Sequence, residues 1–161
     1  MEAEAEGVEA QLAGPHFDIP EPVRRIEFRP NYICFPVRTP TKPPATHTNC
    51  YLVGSTEMVI IDPASPYEEE QQALAECVDE MIAAGREVHE IILTHHHPDH
   101  VGGVNALKAH LALNGSNVRV AAHRETAKIL SDVQVDRFIE DGESIKLDGE
   151  PRLQLQAMHT P

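Results

Sequence analysis

The sequence predicts an α/β domain, a mixed sheet with helices on its outer face. Two observations lead there. Short runs rich in β-branched and aromatic residues come first, and strand-like and helix-like segments then alternate to the end of the chain. Residues 1–24 stand apart: four glutamates within the first nine positions, with Pro15, Pro20 and Pro22, are the composition of a flexible acidic tail or linker. Residues 25–161 read as one domain.

The runs RIEF, YICFPV, NCYLVG and MVIID are expected to form a meander of strands. RTPTKPPAT, between the second and third, carries three prolines and reads as a loop that could rim a binding cleft. Over 67–84 the residues Ala73, Leu74, Cys77, Val78, Met81 and Ile82 recur in pairs four apart, one apolar stripe of a helix closed by Gly85. VHEIILT follows as a buried strand, and VGGVNALKAHLAL as a second helix stopped by Asn114 and Gly115. VRVAA is another strand and residues 123–131 a short helix. DRFI, SIKL and LQLQAM add strands joined at the turn pairs Asp141-Gly142 and Asp148-Gly149. There is no internal repeat.

Composition narrows the function classes. A chain of 161 residues with 41% hydrophobic residues suits a single core. With 26 acidic against 13 basic residues the formal charge is -13, which disfavours nucleic acid and anionic membrane surfaces as partners. The N-terminus lacks the basic start and apolar core of a secretory signal, and no apolar run approaches a membrane span. Cys34, Cys50 and Cys77 form no CxxC pair, so a reducing, cytoplasmic setting is expected.

The chemistry concentrates in Thr94-His95-His96-His97-Pro98-Asp99-His100, where four of the ten histidines fall. His95 and His97 are two apart, so in an extended segment their side chains project to one side and can share a cation. Pro98 is expected to block regular structure and turn the chain, so that Asp99 and His100 face a second position beside the first. Gly102 and Gly103 let the backbone pass close by. Imidazole with carboxylate suits zinc, manganese or iron. Four side chains are too few for two complete metal spheres. His96, the alternate residue, should point away. Such a run can also arise as a solvated loop, by chance or as a purification tag. Its internal position behind a hydrophobic strand, and its interruption by Pro98 and Asp99, argue against a tag.

Other candidates carry less. His47 in the proline-rich loop faces solvent or lines the cleft, and His123 is placed to cap the helix after it. His16, His89 and His110 have no partner by spacing. Cys50 and Cys77 read as buried thiols, and Cys34 has no His or Asp at motif spacing. Asp62 precedes Pro63, which suits a turn-forming aspartate.

The stretch from Thr94 to Gly103 resembles the signature of the metallo-β-lactamase superfamily at every defining position. Thr48-Asn49-Cys50-Tyr51-Leu52-Val53 and Ile60-Ile61-Asp62 look like that family's opening strands, so the resemblance covers about residues 46–161. It implies the first half of an αβ/βα sandwich. His95 and His97 would hold one metal, Asp99 and His100 a second, and Asp62 would support the loop from behind. The implied cofactor is zinc, two ions in a complete protein, with manganese or iron as substitutes. The implied activity is attack of a metal-activated hydroxide on an ester, thioester, amide or phosphodiester, with Asp99 as the catalytic residue that also orients the water, on a small-molecule substrate. The family's next motif reads Thr-Pro-Gly-His, whereas this chain closes on Thr160-Pro161. The expectation is therefore an N-terminal fragment with weak metal affinity and little turnover, in which His159 is no substitute ligand. Three alternatives stand beside it: an iron-dependent sulfur-oxidising relative of the glyoxalase II branch, a nuclease branch, and a non-catalytic fragment that binds a partner through an open sheet edge.

Overall fold

The computed structural model describes residues 24–161. The expected tail at residues 1–24 therefore lies, but for Arg24, outside the described residues.

The elements run β1 (Ile26–Arg29), β2 (Tyr32–Arg38), β3 (His47–Val53), β4 (Glu57–Ile61), α1 (Glu68–Ala83), β5 (Glu87–Leu93), α2 (Pro98–Val101), α3 (Val104–Leu113), β6 (Arg119–Ala122), α4 (Arg124–Ile129), β7 (Arg137–Phe138), β8 (Ser144–Leu147) and β9 (Leu153–Gln156). The first seven strands form one sheet in sequence order. β1 to β4 pair antiparallel and β4 to β7 parallel, a mixed sheet as the alternation of segments predicted. β8 and β9 form a separate antiparallel hairpin.

Burial follows the side-chain pattern. In β2 only Ile33, Phe35 and Val37 are buried, the period of two of a strand with one covered face. In β4 Met58, Val59 and Ile60 are all buried, and in β5 the run Glu90–Leu93, because both faces of the centre are covered. One face meets Leu74, Val78 and Met81 of α1 with Leu107 and Leu111 of α3. On the other, Val53, Val59, Ile92 and Ala121 pack against Ile145 and Leu147 of the hairpin. α1 opens on Glu68, Glu69 and Glu70, which complement the positive end of its dipole. Glu70 is buried yet satisfied, accepting from the Arg24 guanidinium at 3.2 Å and from the Arg38 backbone N–H at 3.2 Å.

Glu90, fully buried on β5, accepts two hydrogen bonds from Arg137 on β7, Nε to Oε1 at 2.9 Å and Nη2 to Oε2 at 2.7 Å. Arg137 also reaches Glu143 at 2.5 Å. Hydrogen bonding to Glu90, then to Glu143, pushes its guanidinium further above its ordinary range against the opposing effect of burial. This fork fastens β5 to β7 across β6.

The two edges of the parallel strands are built differently. Asp62, Thr94 and His123 follow directly on the carboxyl ends of β4, β5 and β6. At the amino edge the turn of the β8–β9 hairpin is laced to the start of β4 and the residues ahead of it: Glu57 N–H to Asp148 O at 2.9 Å, Asp148 N–H to Glu57 Oε2 at 2.8 Å, and Ser55 Oγ–H to Pro151 O at 2.7 Å. Gly149, at φ 146°, admits this contact, since a Cβ there would stand 2.1 Å from Ser55 Oγ and 2.7 Å from Thr56 N.

Three expectations need correction. Pro98 does not end regular structure but opens α2, because a proline at the first helical position lacks only an N–H that has no partner there. His47 is the first residue of β3 and not part of the preceding loop. The Asp141-Gly142 turn joins β7 to β8 without pairing them, because the strands belong to different sheets.

Candidate functional site

β5 delivers the chain to the carboxyl edge at Leu93, and Thr94 to His97 continue without regular structure into α2. The loop is seated on residues 62–66. Gly103 N–H donates to Pro63 O at 2.8 Å, and a Cβ on Gly103 would meet Pro63 O at 2.5 Å and Ser65 O at 3.0 Å. Only glycine permits that approach. Asp62 itself sits at φ 51°, in the left-handed region where aspartate is tolerated, and its carboxylate turns inward.

That carboxylate is surrounded by donors. Oδ1 accepts the Thr94 backbone N–H at 2.8 Å, and Oδ2 accepts the Thr94 hydroxyl at 2.5 Å and His100 Nδ1–H at 2.9 Å. The Thr94 hydroxyl lies 3.0 Å from His95 Nδ1, and His95 Nε2 lies 3.2 Å from His97 Nδ1. The His95 and His100 rings are 4.0 Å apart at their centroids, and ligating atoms of Asp62, His95 and His100 all fall within 4.8 Å of one another. Distance alone would make Asp62 a ligand with the two imidazoles. It also holds three donors, the Thr94 backbone N–H, the Thr94 hydroxyl and His100 Nδ1–H.

The electrostatics suit cation binding. Burial pushes the His95 imidazole below its ordinary range, and the neighbouring His100 adds to this against the opposing pull of Asp62. The neutral imidazole, the form that binds metal, is favoured. At Asp99 burial pushes the carboxyl up, but a hydrogen bond from the Thr41 side chain, its own backbone amide, and His100 and His97 together hold it below the usual range.

The structure thus brings His95, His97 and His100 together, while Asp99, on α2, lies outside the group of Asp62, His95 and His100 whose ligating atoms converge. The His96 ring lies 4.9 Å from that of His97 and 6.4 Å from that of His95, and its nitrogens stay out of the hydrogen-bonded set among the described residues. His123 caps α4 as expected, accepting from Glu125 N–H at 3.3 Å. His159 stacks on it, with centroids 4.1 Å apart. His110 does have a partner, Asp79, at 2.9 Å, and His89 lies 3.6 Å from Glu57. Cys50 and Cys77 are buried thiols, and burial pushes both up. The residue that sequence reasoning passed over is Thr94, whose hydroxyl joins Asp62 to His95. Thr94 carried a signal, as a hydroxyl directly between a buried strand and the first histidine.

The donor set fits a metal ion: imidazole nitrogens of two residues face each other across 3.2 Å, and a third imidazole is held beside them by a carboxylate.

The sequence model of the metallo-beta-lactamase superfamily matches residues 43–161. A hydroxyacylglutathione hydrolase of Serratia proteamaculans (strain 568) is 34% identical over 92 residues, 57% of this chain and 30% of the relative. A hydroxyacylglutathione hydrolase of Rhodopseudomonas palustris (strain HaA2) is 36% identical over 77 residues, 48% of this chain and 26% of the relative. Among solved structures, a beta-lactamase domain protein from Burkholderia ambifaria superposes with TM-score 0.65 at 18% identity, covering 82% of this chain and 48% of that one. A metallo-beta-lactamase family protein from Thermus thermophilus does so with TM-score 0.61 at 22% identity, covering 83% and 52%. The chain spans about half the length of these structural neighbours and under a third of the curated relatives. The matched span takes in the whole of α1, the histidine loop and the strands that present it, and the chain belongs to the metallo-β-lactamase superfamily.

Proposed function

We propose that this chain carries part of the site of a metal-dependent hydrolase, with His95 and His97 holding one zinc ion and Asp99 and His100 a second. The observation that carries the reading is the convergence of three imidazoles at the carboxyl end of β5, backed by the buried Asp62. Asp62 orients and does not bind, because its two oxygens are taken by Thr94 and His100. Zinc, when bound, supplies Lewis acidity and a water acidic enough to yield a nucleophile near neutral pH. The chain's own residues do the rest. His95, kept neutral, offers a lone pair, and Asp99, kept ionised, orients the attacking water and can accept its proton at a carboxylate oxygen.

The curated relatives, both hydroxyacylglutathione hydrolases, support a hydroxyacylglutathione-like small molecule as the first compound to test. A cytoplasmic setting belongs to the same proposal, supported by three free thiols. No helix among the described residues is long and apolar enough to cross a membrane.

Elemental analysis of the purified chain, with hydrolysis of a hydroxyacylglutathione, tests the proposal. Zinc in the parent chain that is lost in His95→Ala, and loss in Asp99→Asn of whatever hydrolysis the parent chain shows, are the expected results. Zinc content equal in parent and His95→Ala would overturn the assignment, and iron or manganese in place of zinc would correct the metal.

A further inference from the structure

We infer that Thr94 is a positioning residue whose hydroxyl fixes the proton of His95 on Nδ1, so that Nε2 is left as a bare lone pair facing His97. The inference rests on the proposed metal site only for what that lone pair binds, since the proton placement follows from counting hydrogens on the hydrogen bonds.

Asp62 as a carboxylate can only accept. The Thr94 hydroxyl has one proton and gives it to Asp62 Oδ2 at 2.5 Å. Toward His95 Nδ1, at 3.0 Å, the same oxygen can then only accept, so Nδ1 must carry the hydrogen. His95 Nε2, 3.2 Å from His97 Nδ1, is left without one. A free histidine side chain favours the opposite form, with the proton on Nε2, so this tautomer has to be imposed by a neighbour.

His100 shows the same device with one part fewer: its Nδ1–H goes straight to Asp62 Oδ2 at 2.9 Å, which frees its Nε2. A single carboxylate oxygen therefore sets two imidazoles, one directly and one through a hydroxyl. Thr94 lengthens the reach of Asp62 to a ring that the carboxylate does not itself contact. The hydroxyl is not needed to anchor the loop, because the Thr94 backbone N–H is bound independently to Asp62 Oδ1 at 2.8 Å. Removing the hydroxyl while keeping the main chain thus separates positioning from folding. Valine is the apt replacement, matching threonine in shape without an acceptor.

The test compares the parent chain with Thr94→Val and Thr94→Ser, and adds Thr94→Ala should the valine variant fold poorly. Imidazole tautomers are read from long-range proton–nitrogen spectra of the labelled, metal-free protein, with His95→Gln to assign the signal. Zinc affinity is measured in parallel by competition with a chelating dye. In the parent and in Thr94→Ser, His95 should carry its proton on Nδ1. In Thr94→Val it should shift toward Nε2–H, with zinc affinity lower by roughly 10- to 100-fold, the usual effect of losing a residue that orients a ligand. A His95 that keeps Nδ1–H in Thr94→Val, or, with a parent chain that binds zinc, unchanged zinc affinity there, would overturn the inference. A parent chain that binds no zinc but shows the Thr94-dependent tautomer would overturn the metal reading and leave the role of Thr94 intact.

Discussion

Replacing Gly103 by alanine should damage the histidine loop from behind, without touching a histidine. A Cβ at this position would stand 2.5 Å from Pro63 O and 3.0 Å from Ser65 O, so it falls roughly 1 Å short of ordinary van der Waals separation at the closer contact. Both obstacles are backbone carbonyls and cannot swing aside as a side-chain end could. The N-terminus of α3 must retreat from residues 62–66, stretching the 2.8 Å bond from Gly103 N–H to Pro63 O. Overpacking of this kind costs about 1–3 kcal/mol. Alanine returns about 0.5–1 kcal/mol of conformational preference, so the net loss is about 1–2 kcal/mol. In a domain of this size that lowers the melting temperature by roughly 2–8 °C, readable by circular dichroism. The same retreat draws His100 away from Asp62 Oδ2, now 2.9 Å distant, so zinc affinity should fall along with stability. A Gly103→Ala chain that melts with the parent and binds zinc equally well would refute the close-approach argument.

Two further outcomes follow from groups away from the loop. Glu90→Ala removes the two acceptors that the Arg137 fork grips, leaving it Glu143, and should cost about 1.5–3 kcal/mol in urea unfolding, with Glu90→Leu combined with Arg137→Leu recovering most of it; a double variant no better than Glu90→Ala would sink this account. At Asp136 burial pushes the carboxyl up, but Lys108 at 2.7 Å, the Val120 N–H at 2.9 Å and Gln134 outweigh it, so its folded pKa lies below the unfolded value of about 3.9. The stabilisation is therefore complete above that value and disappears as pH falls through the folded one, so Asp136→Asn should be less stable than the parent at pH 7 and converge with it in strong acid. Parallel stability curves for the two chains across that range would contradict the assigned cause.

What could be read from the sequence was what is local in it. His95, His97 and His100 fall within six consecutive residues, and the stripe from Ala73 to Ile82 within one helix, so the gathering of the three imidazoles and the helix were both legible. Contacts that join distant segments were not. Asp62 and Thr94 are 32 positions apart, Asp79 and His110 are 31 apart, and Glu90 and Arg137 are 47 apart, and no periodicity links them. Asp62 takes the positive φ of a turn former before Pro63, and its carboxylate accepts from Thr94 and His100, contacts that no local spacing announces. Pro98 misleads because a proline gives the same signal whether it breaks an element or begins one. The alternation in SIKL and LQLQ identifies strands but does not say which sheet they join, and the hairpin instead lies across the second face of the main sheet.

The contrast between the edges of the parallel strands amounts to a division of labour along a single axis. Asp62, the histidine loop, His123 and His159 gather where β4, β5 and β6 finish, while the lacing of Ser55, Thr56 and Glu57 to Asp148–Pro151 gathers where they start. Substitutions at one end of a strand should alter what the protein meets, and at the other how long it lasts. An engineer could therefore rebuild the segments around the histidine loop while leaving untouched the seam that holds the β8–β9 hairpin to the sheet.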